Sequence, residues 1–138
     1  MASAAPTANF TTIENCATTA AIATESLKQA GLHPINMMSG IFSISLSRIV
    51  AAQKTIGFAY LDVNHTHKNT FEYFNQCLRA SDENSIFVFR GIHRSRSMED
   101  VWTQICKHPR VTVSIDLFEL GLVFFRKGLS KQDFVIRF

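Results

Sequence analysis

Three places in this 138-residue sequence gather side chains that could do chemistry. The first is Asp62-Val63-Asn64-His65-Thr66-His67, which closes the apolar run Phe58-Ala59-Tyr60-Leu61. Asp62 offers a general base or an anchor for a cofactor. With His65 and His67 it also offers oxygen and nitrogen ligands to a metal. The D-x-x-H-x-H spacing is no recognised metal pattern, and a closed site would need a further ligand, so no metal is assigned to it. His65 can act as an acid or base, or cap the helix that follows. The second place is Glu14, which closes the short β-rich stretch Phe10 to Glu14 ahead of a helix. A carboxylate at a strand end can accept both hydroxyls of a ribose, and it also sits favourably against a helix N-terminus. The third is Arg90-Gly91-Ile92-His93-Arg94-Ser95-Arg96, a basic segment that could meet phosphate or nucleic acid, or simply be a solvated loop. No aromatic stacking platform accompanies it, which argues against nucleic acid as a partner.

Other chemistries find no support. There is no G-x-S-x-G, no P-loop and no G-x-G-x-x-G, and the six glycines are scattered. The three cysteines, Cys16, Cys77 and Cys106, are far apart and form no C-x-x-C pair, which argues for reduced thiols in the cytoplasm and against structural zinc. The start, Met1 to Phe10, has neither a basic region nor a continuous apolar one, so no signal peptide is expected. No apolar stretch reaches the roughly 18 residues of a membrane span. Hydrophobic residues make up 46% of the chain and charged residues 18%, a composition of globular proteins rather than disordered ones. The formal net charge is +3, with a pI of about 8.9, so the chain is mildly basic.

The elements that must position these groups follow from the apolar periodicity. Phe10 to Glu14 reads as a strand. Ala20, Ala23, Leu27 and Ala30 recur at helical spacing, with Gly31 as the C-cap. Ile35 to Met38 is a second short strand, and Ile44 to Ala52 a weaker helix. Gly57 to Asp62 reads as a strand buried on both faces, because its residues do not alternate. Phe71, Phe74 and Leu78 mark a helix, and Ser85 to Phe89 another continuous apolar strand. Met98, Val101, Trp102 and Ile105 mark the next helix, with Ser97 as its expected N-cap. Three strands close the chain, in Val111 to Phe118, Gly121 to Arg126 and Asp133 to Phe138. The order β-α-β-α-β-α-β-α followed by β-β-β predicts an α/β fold in one domain, with a mostly parallel sheet and an antiparallel edge from the C-terminal strands. Ligands of such sheets bind beyond the carboxyl ends of the strands, at Glu14, Gly40, Asp62 and the Arg90–His93 loop.

Three long stretches carry a resemblance across nearly the whole chain, from about Ala2 to Phe138. They are Thr12 to Leu32, Leu61 to Phe74, and His108 to Phe138. The sequence resembles class I S-adenosylmethionine-dependent methyltransferases, specifically a bacterial O-methyltransferase-like group. The resemblance implies a partial Rossmann-like, doubly wound sheet. It makes Glu14 the acid that grips the cofactor ribose. It places Gly40 and Phe42 along the adenine, and Asp62 near the sulfonium and the substrate. Asn64 and His65 complete the D-x-N-H signature, with His65 joining Asp62 as a candidate catalytic residue. The implied activity is methyl transfer from S-adenosylmethionine to an oxygen nucleophile of a small-molecule acceptor.

The sequence also departs from that family. The family begins earlier, with a strand and a Gly-rich turn that cradle the methionine part of the cofactor, so the resemblance implies N-terminal truncation and weak or lost cofactor binding. Apolar and neutral residues at Ile41 and Ser43 stand where the family usually has polar and acidic ones. Arg90-Gly91 stands where an Asp-Asp pair is usual, and an arginine there would repel a cation. Arg94 stands where a tryptophan is expected. Removing a central strand would leave two unpaired edges, which implies closure of the gap, self-association or a borrowed strand. An alternative reading follows, in which the chain is a non-catalytic interaction module derived from a methyltransferase.

Overall fold

A computed structural model describes residues 2–5, 7–32, 35–62 and 67–137. The chain forms two compact units, Met1–Ile49 and Val50–Phe138.

In the first unit a short 3-10 turn, Ala2–Ala4, precedes β1 (Phe10–Glu14), α1 (Ala17–Gln29) and β2 (Ile35–Ser39), and α2 (Phe42–Ala52) begins there. β1 and β2 pair in parallel, from Phe10 opposite Ile35 to Glu14 opposite Ser39. The expected stop at Gly31 is present and has a physical form. Gly31 takes φ +65°, its N–H donates to the Lys28 carbonyl at 2.9 Å, and the Leu32 N–H donates to the Leu27 carbonyl at 3.0 Å. These two bonds close the last turn of α1 in the pattern that favours glycine.

The second unit holds β3 (Phe58–Leu61), α3 (His67–Arg79), β4 (Ile86–Arg90), α4 (Arg96–Lys107), β5 (Val113–Asp116), β6 (Leu120–Phe124) and β7 (Gln132–Val135). Its sheet has the order β3-β4-β6-β5-β7. β3 and β4 are parallel, and β6 runs antiparallel to both β4 and β5. β4 and β5 therefore point the same way, so the carboxyl ends of β3, β4 and β5 share one edge of the sheet. The antiparallel strand sits inside the sheet; the edge strand β7 runs parallel to β5.

The core of this unit is aromatic. Phe74 is fully buried, with ring centroids 6.4 Å from Phe87, 6.1 Å from Phe89 and 5.3 Å from His108. Phe87 meets Phe125 edge-on at 4.9 Å, and Phe89 reaches Trp102 at 6.1 Å. The helical spacing of Met98, Val101, Trp102 and Ile105 places all four in the core. Residue Gly121 lets α4 approach, because a Cβ there would lie 2.6 Å from the Trp102 ring.

Two local expectations are corrected. α4 is capped by Ser95, whose hydroxyl accepts from the Met98 N–H at 3.3 Å, two residues earlier than the expected Ser97. The Ser97 hydroxyl instead meets Ser95 at 3.0 Å, because Arg96 and Ser97 are already helical. β3 is not buried on both faces: Leu61 is buried, but Phe58 and Tyr60 are 47% and 43% exposed. An unbroken apolar run marks a two-sided interior strand only when both faces are covered. β4, which lies between β3 and β6, meets that condition with Phe87, Val88 and Phe89 all buried.

Candidate functional site

The polar residues predicted to matter stand at carboxyl ends of parallel strands. In the first unit Glu14 ends β1 and Gly40 follows β2. The register that pairs Glu14 with Ser39 brings them side by side, and the Gly40 N–H donates to the Glu14 carbonyl at 3.2 Å. Gly40 has φ +135°, a conformation open to glycine and rare for other residues. The Glu14 carboxylate accepts the Cys16 N–H through Oε1 at 2.9 Å, just ahead of α1. Its Oε2 makes no hydrogen bond among the described residues. Phe42 opens α2 and is half-buried. Glu14, Gly40 and Phe42 thus belong to one unit and Asp62 to the other. Asn64 and His65 lie outside the described residues.

In the second unit Leu61 pairs with Phe89, so the next residues along each strand, Asp62 and Arg90, face each other at the strand ends. Arg90 Nη1 donates to Asp62 Oδ2 at 3.0 Å. This charge-assisted bond to Asp62 holds the Arg90 pKa above its usual range. The carboxylate that a cation would need is therefore engaged by a guanidinium. Among the described residues no group of three His, Cys, Asp or Glu side chains could hold a metal ion.

Along the same sheet edge lies a cluster that the sequence reading did not single out. His93 sits in the loop after β4, with Nδ1 3.1 Å from Glu99 Oε1 and Nε2 2.7 Å from Asp116 Oδ2. Both ring nitrogens face carboxylate oxygens, an arrangement that only the doubly protonated ring satisfies. The bond to Glu99 is the main cause that raises the His93 pKa; burial opposes it and the Asp116 bond adds to it. Burial alone would raise the Asp116 pKa, but the Phe118 N–H, His93 and Arg137 outweigh burial and lower it. Asp116 Oδ1 accepts the Phe118 N–H at 2.8 Å and Arg137 Nη1 at 3.0 Å. Phe118 is exposed, has φ +70°, stacks on His93 at 5.5 Å and lies 5.6 Å from the Arg137 guanidinium. The signal for this cluster was present: Asp116 is a polar residue ending an apolar strand, as Asp62 is.

The alternating elements and the parallel strand pairs form a Rossmann-like α/β fold, which solved structures of O-methyltransferases share. Solved structures carry this assignment. A Klebsiella pneumoniae protein described as an O-methyltransferase matches with a TM-score of 0.76 at 18% identity, over 91% of this chain and 66% of its own. The O-methyltransferase of Bacillus cereus, in complex with SAH, matches with a TM-score of 0.67 at 17% identity, over 84% of this chain and 62% of its own. The O-methyltransferase TomG of Streptomyces achromogenes, in complex with SAM, matches with a TM-score of 0.69 at 16% identity, over 88% and 63%. The chain spans a little under two-thirds of the length of these proteins. No protein-family model matches it, and no curated protein matches its sequence. Among the described residues no helix is long and apolar enough to cross a membrane.

Proposed function

We propose that this chain carries the nucleoside-binding and acceptor-facing strand ends of an S-adenosylmethionine-dependent O-methyltransferase. The observation that carries this reading is the juxtaposition of Glu14 and Gly40 at the ends of two parallel strands. The residues fit a nucleoside. Glu14 keeps one carboxylate oxygen for a ribose hydroxyl, Gly40 exposes backbone without a Cβ, and Phe42 supplies an apolar surface for adenine. When bound, the cofactor supplies an activated methyl group on a sulfonium. Asp62 would help hold the acceptor, and His65 would take up the proton that the acceptor hydroxyl releases. Catalysis is then chiefly proximity and alignment. The acceptor is a small molecule.

Weak or lost cofactor binding is part of this proposal, since the six glycines are scattered and none builds a Gly-rich turn for the methionine part. The test is an amide-resolved titration with S-adenosylhomocysteine. Weak, saturable shifts at Glu14, Gly40 and Phe42 are expected, and they should vanish in Glu14→Ala. Shifts confined to other residues would refute the site, and micromolar affinity would refute its weakness.

A specific observation also favours a second reading, a non-catalytic interaction module. Arg90 occupies Asp62, and β3 is laddered only to β4 among the described residues, with Phe58 and Tyr60 exposed. An edge of this kind recruits strands, so self-association is expected. Light scattering behind a sizing column reads it directly. A monomer across a wide concentration range would count against this second reading.

A further inference from the structure

The basic segment Arg90 to Arg96 is not used by the methyl-transfer reading, yet the structure sorts its residues sharply. His93 is turned to Glu99 and Asp116. Arg96 opens α4 behind its Ser95 cap and is exposed. Arg90 and Arg94 lie at the sheet edge, on either side of Gly91. Gly91 takes φ +71° and anchors its N–H on the Glu119 carbonyl at 2.7 Å. The Arg94 guanidinium lies over its α-carbon, so a Cβ at residue 91 would come within 3.2 Å of Arg94 Nε and 3.3 Å of Cζ. The turn therefore makes room for one guanidinium beside the strand end that carries another.

We propose that the ends of β3 and β4 recognise the oxyanion of a small-molecule ligand, a carboxylate or a phosphate. Arg90 and Arg94 are the cationic groups, and Asp62 fixes how Arg90 is presented. Among the described residues Arg90 donates only to Asp62, and its side chain is 46% exposed. A guanidinium has five N–H donors in a fixed fork, so most of its donors remain for a ligand. Stability does not explain the pair, since an ion pair this exposed contributes little once water screens it. Its position does, because carboxyl ends of parallel strands are where such sheets bind ligands. A cation also occurs here in protein form: the guanidinium on Asp62 offers positive charge to an anionic oxygen without a metal. As a statement about the acceptor, this inference rests on the methyl-transfer reading; as a statement about binding, it stands on the strand ends alone.

The test compares three probes that share a phenyl ring: benzoate, phenyl phosphate and benzamide. Each is titrated into the full chain at fixed ionic strength, with and without S-adenosylhomocysteine, while the Arg90 Nε–H and the Gly91 amide are followed. The expected result is that at least one anionic probe binds roughly tenfold or more tightly than benzamide, the scale of one charge-assisted hydrogen bond. Which anion wins tells carboxylate from phosphate. Arg90→Gln should abolish the preference, Arg90→Lys should restore only part of it, and Arg94→Gln should weaken it. Equal binding of benzamide, no binding of any probe, or a preference that survives Arg90→Gln would overturn the proposal. So would tight, salt-sensitive binding of a DNA oligonucleotide that needs Arg94 and Arg96 but not Arg90. The two readings fail separately. Anion preference without any response of Glu14 and Gly40 to S-adenosylhomocysteine defeats the cofactor site alone, and the converse defeats only the oxyanion site.

Discussion

The two units use the same strand-helix-strand grammar and bury it very differently. No residue of β1 or β2 is fully buried, whereas β4 has three buried residues in a row. α1 buries Ala20 alone, a side chain with little to contribute; α4 buries Met98, Val101, Trp102 and Ile105. Parallel pairing is equally regular in both, so hydrogen bonding does not make the difference. Apolar area removed from water does. The Glu14–Gly40 strand ends therefore rest on a softer support than the Asp62–Arg90 pair, and local opening should begin in the first unit.

The sharpest way to break this comparison is to cut one large side chain from each sheet layer. Phe74→Ala removes the ring shared by Phe87, Phe89 and His108, and should destabilise the second unit by about 3–5 kcal/mol. Ile13→Ala in half-buried β1 should cost about 1 kcal/mol. Denaturant unfolding measures both, and equal costs would show that the two units are equally consolidated. A second contrast lies between glycines. Gly121→Ala drives a methyl into the Trp102 ring and should cost about 1–3 kcal/mol through overpacking. Gly57→Ala meets nothing within 4 Å and should be near neutral. A smaller effect is expected at the end of α1. Gly31→Ala forces an L side chain into φ +65° and should cost about 1–2 kcal/mol, seen as faster amide exchange at Gly31 and Leu32.

The sequence made some of this legible, for physical reasons that can be named. The helical period of Met98 to Ile105 and the glycine at position 31 are local signals, and both are realised in place. Glu14, Gly40, Asp62 and the Arg90 loop do stand at strand ends, and a polar residue after an apolar run is visible without knowing the fold. What stayed hidden was pairing. Asp62 and Arg90 are 28 residues apart and meet only through the parallel register of β3 and β4. Asp116 and His93 meet because β6 inserts between β4 and β5, an order that no periodicity encodes. The exposed face of β3 is hidden from the sequence for the same reason, since coverage of a face depends on neighbours distant in sequence.

The smallest expected effect separates the two ends of the pH scale. Glu99 and Asp116 favour the protonated form of His93, with Phe118 stacked on the ring and Arg137 on the far oxygen of Asp116. Its folded pKa is raised, so its contribution to stability is fully present below the ordinary histidine value of about 6.5 and is lost as pH rises through the folded value. Asp116 has the opposite sign. Its folded pKa is lowered, so its contribution is present above the ordinary carboxylate range and is lost as pH falls through the folded value. Stability of the second unit should therefore peak between the two and decline on both sides. His93→Gln keeps a hydrogen-bonding side chain without the titration. It should flatten the alkaline decline and leave the acid one, a change of under about 1 kcal/mol for so solvated a pair. Urea midpoints across the pH range, read beside the nuclear magnetic resonance titration of the His93 ring, check both the sign and the residue. An alkaline decline that persists unchanged in His93→Gln would assign it to another group and leave this cluster a purely structural contact.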